Sequence, residues 1–170
     1  MSEFKKGSII NNLLRLGPLL VLFISVLNEI DLNYVKYFSF NFPYILIFYW
    51  CLRKAETLGN GYIFLAGLIN DVVVGLPIGV SSFNYLLICG FAVYLRTITL
   101  RPNLIKDWFF FLFTILVVNS LNYSFLNIFF SIDLNYYNLF VNIFFTFIFY
   151  IIFANLFLVY QNKFFKESND

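Results

Sequence analysis

The sequence predicts an all-α integral membrane protein, a single bundle of six transmembrane helices. Three observations carry that reading. First, 61% of the 170 residues are hydrophobic and only 12% are charged, whereas a soluble domain is about 25% charged. Phe supplies 25 residues and Tyr another 12. A soluble fold of this size has too small an interior to hide them. Second, apolar stretches recur at the length that crosses a hydrocarbon core of about 30 Å, which takes about 20 residues of helix. Third, the basic residues sort to one side of six such spans. Together these exclude a secreted domain, a cytosolic enzyme and a nucleic-acid-binding module, and make the lipid bilayer the chain's solvent. The net charge of +2 is too small to argue for an anionic partner.

The six spans form one transmembrane domain over residues 1–170. Span 1 covers about residues 10–30, an apolar run from Leu16 to Ile30 that extends inward past Arg15. Lys5 and Lys6 precede it as in a signal peptide, but no small-residue cleavage site follows, so it reads as an uncleaved helix. Span 2, residues 38–52, contains Pro43, which is expected to kink it. The stretch from Tyr62 to Leu95 would make a helix about 50 Å long at 1.5 Å per residue, too long for one crossing. It is broken by Gly75-Leu76-Pro77-Ile78-Gly79, whose residue types a tight turn needs. That gives span 3 at residues 61–74 and span 4 at 80–95. Spans 5 and 6 follow at residues 104–130 and 136–160.

Charge decides between six spans and five. With six, Lys5, Lys6, Arg15, Arg53, Lys54, Arg96, Arg101, Lys106, Lys163 and Lys166 lie on the cytoplasmic side and only Lys36 outside. With five, the same residues divide into five inside and six outside, with no bias. The positive-inside rule therefore selects six spans with both termini cytoplasmic. Trp50 and Trp108 fall at cytoplasmic helix ends, where indole rings anchor at the interface, and Glu29, Asp31 and Asp133 fall in outer loops.

The chain contains no His, which removes histidine metal sites and general bases. It has no Ser–Lys pair at catalytic spacing and no P-loop, so no enzyme chemistry, cofactor or metal is expected. Cys51 and Cys89, far apart in sequence, read as small apolar fillers.

Polar residues inside a membrane are costly and therefore informative. Asp71 is the only acid well inside a span, and an Asp at a helix centre costs about 2.5–3.5 kcal/mol. It lies four residues before Gly75, in the outer half of span 3. Either it caps a helix end or the outer turn, or it belongs to a polar pocket or partner contact. Matching depth along the spans brings Asn84, Asn122 and Asn142 to a similar level. Asp71 with these three amides makes a candidate cluster, serving either as a pocket or as polar glue between helices. Asn70 flanks Asp71 on a different helix face. Gly67 lies four residues before Asp71 on the same face, where its small size admits a neighbouring helix.

These residues resemble a known family. Phe42-Pro43, then Phe48-Tyr49-Trp50, then Gly67-Leu68-Ile69-Asn70-Asp71, then Gly75-Leu76-Pro77-Ile78-Gly79 is similar to the pattern of MreD, the bacterial rod-shape-determining membrane protein. That family carries a proline in span 2, a Tyr-Trp end to it, and a G-L-x-x-D-x-x-x-G-x-P-x-G pattern. The match covers roughly residues 40–95; the last two spans agree only in length and hydropathy. The family often has a second proline after span 2, which the inner loop Arg53-Lys54-Ala55-Glu56-Thr57 lacks.

The resemblance implies a non-enzymatic subunit of the cell-elongation (rod) complex in the bacterial inner membrane, acting in cell shape and lateral peptidoglycan synthesis. Its partners would be MreC, with MreB, the RodA glycosyltransferase and a class B transpeptidase in the wider complex. The implied fold is similar to that of the substrate-binding subunits of energy-coupling-factor transporters, which leaves a second function open, a solute-binding subunit of a vitamin-type transporter. The residues that would serve a partner or a pocket are Pro43, Tyr49, Trp50, Gly67, Asp71, Gly75, Pro77, Gly79, Asn84, Asn122 and Asn142. As a scaffold, the chain is expected to dock a partner's segment near spans 2–4.

Overall fold

A computed structural model of the chain describes residues 16–27, 39–99, 103–131 and 136–164. Among them are six α-helices and no strand: α1 (Gly17–Leu27), α2 (Phe42–Leu58), α3 (Asn60–Val74), α4 (Val80–Ile98), α5 (Leu104–Phe130) and α6 (Tyr136–Phe164). The inner part of span 1, the outer-loop acids Glu29, Asp31 and Asp133, and the basic residues Lys5, Lys6, Arg15, Lys36, Arg101 and Lys166 lie outside the described residues.

The centre of the fold is α2. Its stretch YILIFYWCL has no charged or amide side chain, and all nine residues from Tyr44 to Leu52 are buried, at 0–8% exposure. A helix that is apolar on every side belongs in the middle of a bundle. Its neighbours meet it with buried stripes at helical spacing. These are Tyr85, Ile88, Cys89, Ala92 and Leu95 on α4, Phe111, Ile115 and Val118 on α5, and Tyr150, Ala154 and Phe157 on α6. Phe48 of α2 touches Phe111 at 5.0 Å and Tyr150 at 5.7 Å, and those two rings stack at 4.5 Å. Helices α3 and α4 pair as a hairpin, α1 packs on α2 and α3, and α5 bridges α4 to α6.

Two expectations about α2 are corrected. Pro43 does not kink the helix. It occupies the first turn, where its missing N–H forfeits no helical bond. Asn41 caps that turn, its Oδ1 accepting from the Tyr44 N–H at 3.3 Å. The real irregularity is Lys54, whose φ of −148° and ψ of 81° leave the helical region. The segment 53–57, expected as an inner loop, is thus the kinked end of α2, and Gly59 alone separates it from α3.

One of the two tryptophans is also corrected. Trp50 is 1% exposed, enclosed by Tyr49, Phe157 and Tyr160, so it is a core residue and not an interfacial anchor. Trp108 stacks flat on Phe147 at 4.4 Å and donates from Nε1 to the Phe147 carbonyl at 2.8 Å, joining α5 to α6.

Two helices are long and apolar enough to cross a membrane: Leu104–Phe130, with mean hydropathy 1.8, and Tyr136–Lys163, with mean hydropathy 2.3. Only 28% and 22% of their apolar stretches are buried within the chain, unlike the core helix of a soluble protein. Phe109, Phe113, Phe140 and Phe144 stand on their outward faces. Helices α1 and α3 are apolar but shorter, at 11 and 15 residues.

Candidate functional site

Asp71 sits at the hinge of the α3–α4 hairpin, and both of its roles there follow from the chain around it. Its backbone carbonyl accepts from the N–H groups of Gly75 and Leu76, the latter at 2.9 Å. This is a Schellman ending, which requires a left-handed residue at Gly75, and Gly75 has φ +75°. The chain then turns through Pro77 and a second left-handed glycine, Gly79, with φ +103°. That return aims the start of α4 back at the Asp71 carboxylate. Oδ2 accepts from the Gly79 N–H at 2.7 Å and Oδ1 from the Ser81 N–H at 2.8 Å. The first N–H groups of a helix have no partner of their own, and a carboxylate satisfies them while meeting the positive end of the helix dipole. Asp71 is fully buried, so the capping alternative describes it.

The same hairpin consumes its neighbours. Asn70, expected on a separate face, donates from Nδ2 to Ser81 Oγ at 2.9 Å. Ser82 donates to the Phe64 carbonyl at 2.9 Å. Gly67 is buried against the backbone of Ser82, and a Cβ there would collide with it. The small residue therefore admits the chain's own α4. Gly61, by contrast, is exposed with open space around it.

Among the described residues, no hydrogen bond joins Asp71, Asn84, Asn122 and Asn142 to one another. Asn142 bonds elsewhere: its Nδ2 donates to Ser39 Oγ at 2.8 Å, and its Oδ1 accepts from Thr146 at 3.5 Å. Thr146 Oγ1 in turn accepts from the Asn41 N–H at 2.9 Å, so this group ties the start of α2 to α6. Asn84 is buried beside Tyr85, whose ring meets Tyr44 edge-on at 5.9 Å. Among the described residues, its Oδ1 accepts no hydrogen bond, and neither does the buried Oδ1 of Asn122. Equal depth does not by itself make these residues partners, because depth along a helix says nothing about which neighbour a side chain faces.

A second polar group was missed in the sequence. Arg53, on α2, forms an ion pair with Asp107, on α5, at 2.9 Å. Their side chains are 18% and 3% exposed. Arg53 also lies over the Tyr49 ring at 5.9 Å, and the Tyr49 hydroxyl donates to Gln161 Oε1 at 3.2 Å. Tyr49 is therefore part of a polar seam joining α2, α5 and α6. The available signal was charge and depth: Arg53 ends one apolar run and Asp107 begins another, both on the side assigned to the cytoplasm.

No protein family, no curated protein and no solved structure matches the chain. The site therefore speaks for itself. Among the described residues no three His, Cys, Asp or Glu side chains gather as a metal site would require. Among the grooves lined by described residues, two are apolar. One of about 620 Å³ runs along α4, lined by Phe83, Leu86, Leu87, Gly90, Phe91 and Tyr94. The other, about 220 Å³, lies between α1, α2 and α6, with Pro18, Phe42, Trp50 and Phe157 in its wall. Neither is lined by Asp71, Asn84, Asn122 or Asn142.

Proposed function

We propose that this chain is a non-enzymatic subunit of a bacterial cell-elongation complex, a six-span protein of the inner membrane with both termini in the cytoplasm. Its task is to hold a partner's membrane segment, that of MreC, in an assembly with MreB, RodA and a class B transpeptidase. The observation that carries the reading is the state of Asp71. The residues of the MreD-like pattern, Gly67, Asp71, Gly75, Pro77 and Gly79, build a self-capped hairpin in which both carboxylate oxygens are already taken. An acid so engaged, and with no exposure, shapes the hairpin from within. Since α2 is enclosed, the surface available near spans 2–4 is the outward side of α3 and α4, where Tyr62, Phe64, Phe83 and Tyr94 are exposed. The topology rests on the ten-to-one charge bias of six spans. A reporter fused after Asp170 is expected to behave as cytoplasmic, and periplasmic activity of that fusion would overturn the six-span count.

The partner reading is tested at Gly90, which is exposed and has nothing near its missing Cβ. Gly90→Phe fills the α4 groove without touching the core. It is expected to reduce co-purification with MreC severalfold while the protein still accumulates. Replacing Asn84 and Asn122 together by Leu is expected to leave co-purification intact.

One observation favours the transport alternative. Asn84 Oδ1 and Asn122 Oδ1 are buried acceptors without a donor, as a site awaiting a polar solute would present. Under that reading the purified chain binds a vitamin-like solute tightly and the Asn84/Asn122 double replacement abolishes binding, while Gly90→Phe leaves it unchanged.

A further inference from the structure

The seam between α2 and α4 holds a feature that neither function uses. Cys51 and Cys89 are 38 positions apart in the chain, yet their sulfurs face each other at 2.7 Å. Both are free thiols, Cys51 at 0% and Cys89 at 4% exposure. They are the only two cysteines in the sequence. A small apolar filler does not need a second cysteine opposite it, and here each is the other's nearest reactive group. Closing the pair to a disulfide of about 2.05 Å takes less than an ångström of approach between helices already packed on each other.

The geometry points to Cys51 and Cys89 as an oxidisable pair that forms a reversible covalent staple between α2 and α4. The oxidant class is a peroxide, a small neutral molecule suited to a pair at 0% and 4% exposure. Cys89, the less enclosed residue, attacks the peroxide as its thiolate; the O–O bond breaks, giving a sulfenic acid and a hydroxide that takes up the proton Cys89 released, making one water. The Cys51 sulfur then attacks the sulfenic sulfur, the S–S bond forms, and the hydroxyl leaves as a second water. In total two thiols and one hydrogen peroxide give one disulfide and two waters, each sulfur losing one electron and one proton. A dithiol reductant reverses the change by thiol–disulfide exchange.

The position gives the staple a consequence. Cys51 lies two residues before Arg53, which ties α2 to Asp107 of α5, and three before the kink at Lys54. The reduced protein holds this end of α2 by non-covalent contacts, the Arg53–Asp107 ion pair among them; the oxidised protein also fixes it covalently to α4.

The test uses the full chain in detergent, reduced and then treated with hydrogen peroxide. After denaturation without reductant, a maleimide mass tag counts the free thiols. The expected result is loss of both labels together, an intact mass lower by two hydrogens, a single cross-linked peptide joining Cys51 to Cys89, and return of both labels with dithiothreitol. Cys51→Ser and Cys89→Ser are each expected to form no internal cross-link. Diamide, which oxidises thiols by a different route, checks access: an internal disulfide with diamide but not with peroxide overturns the assigned oxidant. Two thiols that still take label after both reagents, or that gain oxygen independently, overturn the pair itself.

Discussion

Replacing Asp71 by Ala is expected to lower the stability of the purified protein by about 3 kcal/mol, the loss of two hydrogen bonds to a charged group at about 1.5–3 kcal/mol each, discounted for partial relaxation. The bonds lost are those from the Gly79 and Ser81 N–H groups at 2.7 and 2.8 Å. Both donors would lose their acceptor at a site closed to water, since Asp71 itself has no exposure. For a chain of this size the loss corresponds to a fall of about 6–12 °C in the melting midpoint. Thermal unfolding in detergent, followed by the fluorescence of the core residue Trp50 or by helical circular dichroism, measures it.

The Asn variant is the sharper experiment. An Asp that merely capped through one oxygen would tolerate Asn with little change, because the amide keeps one acceptor. Here both oxygens accept from backbone N–H groups, so the amide must turn its own donor toward one of them. Asp71→Asn is therefore expected to be destabilising by about 1–3 kcal/mol, the cost of an unsatisfied buried donor. An Asn variant as stable as the wild type would mean that one of the two bonds contributes nothing.

How much of this was legible in the sequence depended on whether the signal was local. The turn at Gly75–Gly79 could be read directly, because glycine and proline announce a chain reversal at the position where it occurs. For the same reason α4 begins at residue 80 and α5 spans residues 104–130 as expected. Asn41-Phe42-Pro43, a cap followed by a first-turn proline, is an equally local signal for the start of α2, and the expected span 38–52 did not use it. Reading Pro43 as a kink came from starting the span a few residues too early. The long-range partners left no such trace. Arg53 and Asp107 are 54 positions apart, Cys51 and Cys89 are 38, and Asn142 and Ser39 are 103. Hydropathy gives a residue's depth, but the direction a side chain faces around its helix depends on which helices pack beside it. Trp50 shows the difference: its position at the end of an apolar run suits an interface, while the packing of α6 beside α2 encloses it.

Gly67 is where that packing is least forgiving. A Cβ at this position would meet the backbone of Ser82, which cannot rotate aside as a side chain can. Gly67→Ala is therefore expected to push α3 and α4 apart and cost about 1–3 kcal/mol as overpacking, despite the better helix propensity of alanine. The separation would stretch the Ser82 hydroxyl bond to the Phe64 carbonyl, now 2.9 Å, and both bonds to Asp71. Gly67→Leu, with far more volume at the same contact, is expected to prevent accumulation of folded protein. Gly61→Ala is the control, since open space surrounds Gly61, and it is expected to be neutral or slightly stabilising. The decisive measurement is the double variant Gly67→Ala/Asp71→Ala. If close approach at Gly67 is what brings the start of α4 to the carboxylate, the two losses overlap, and the pair costs less than the sum of the singles by about 0.5–3 kcal/mol. Strict additivity would mean that the Asp71 cap forms independently of the crossing, and that the hairpin has two separate supports instead of one continuous contact.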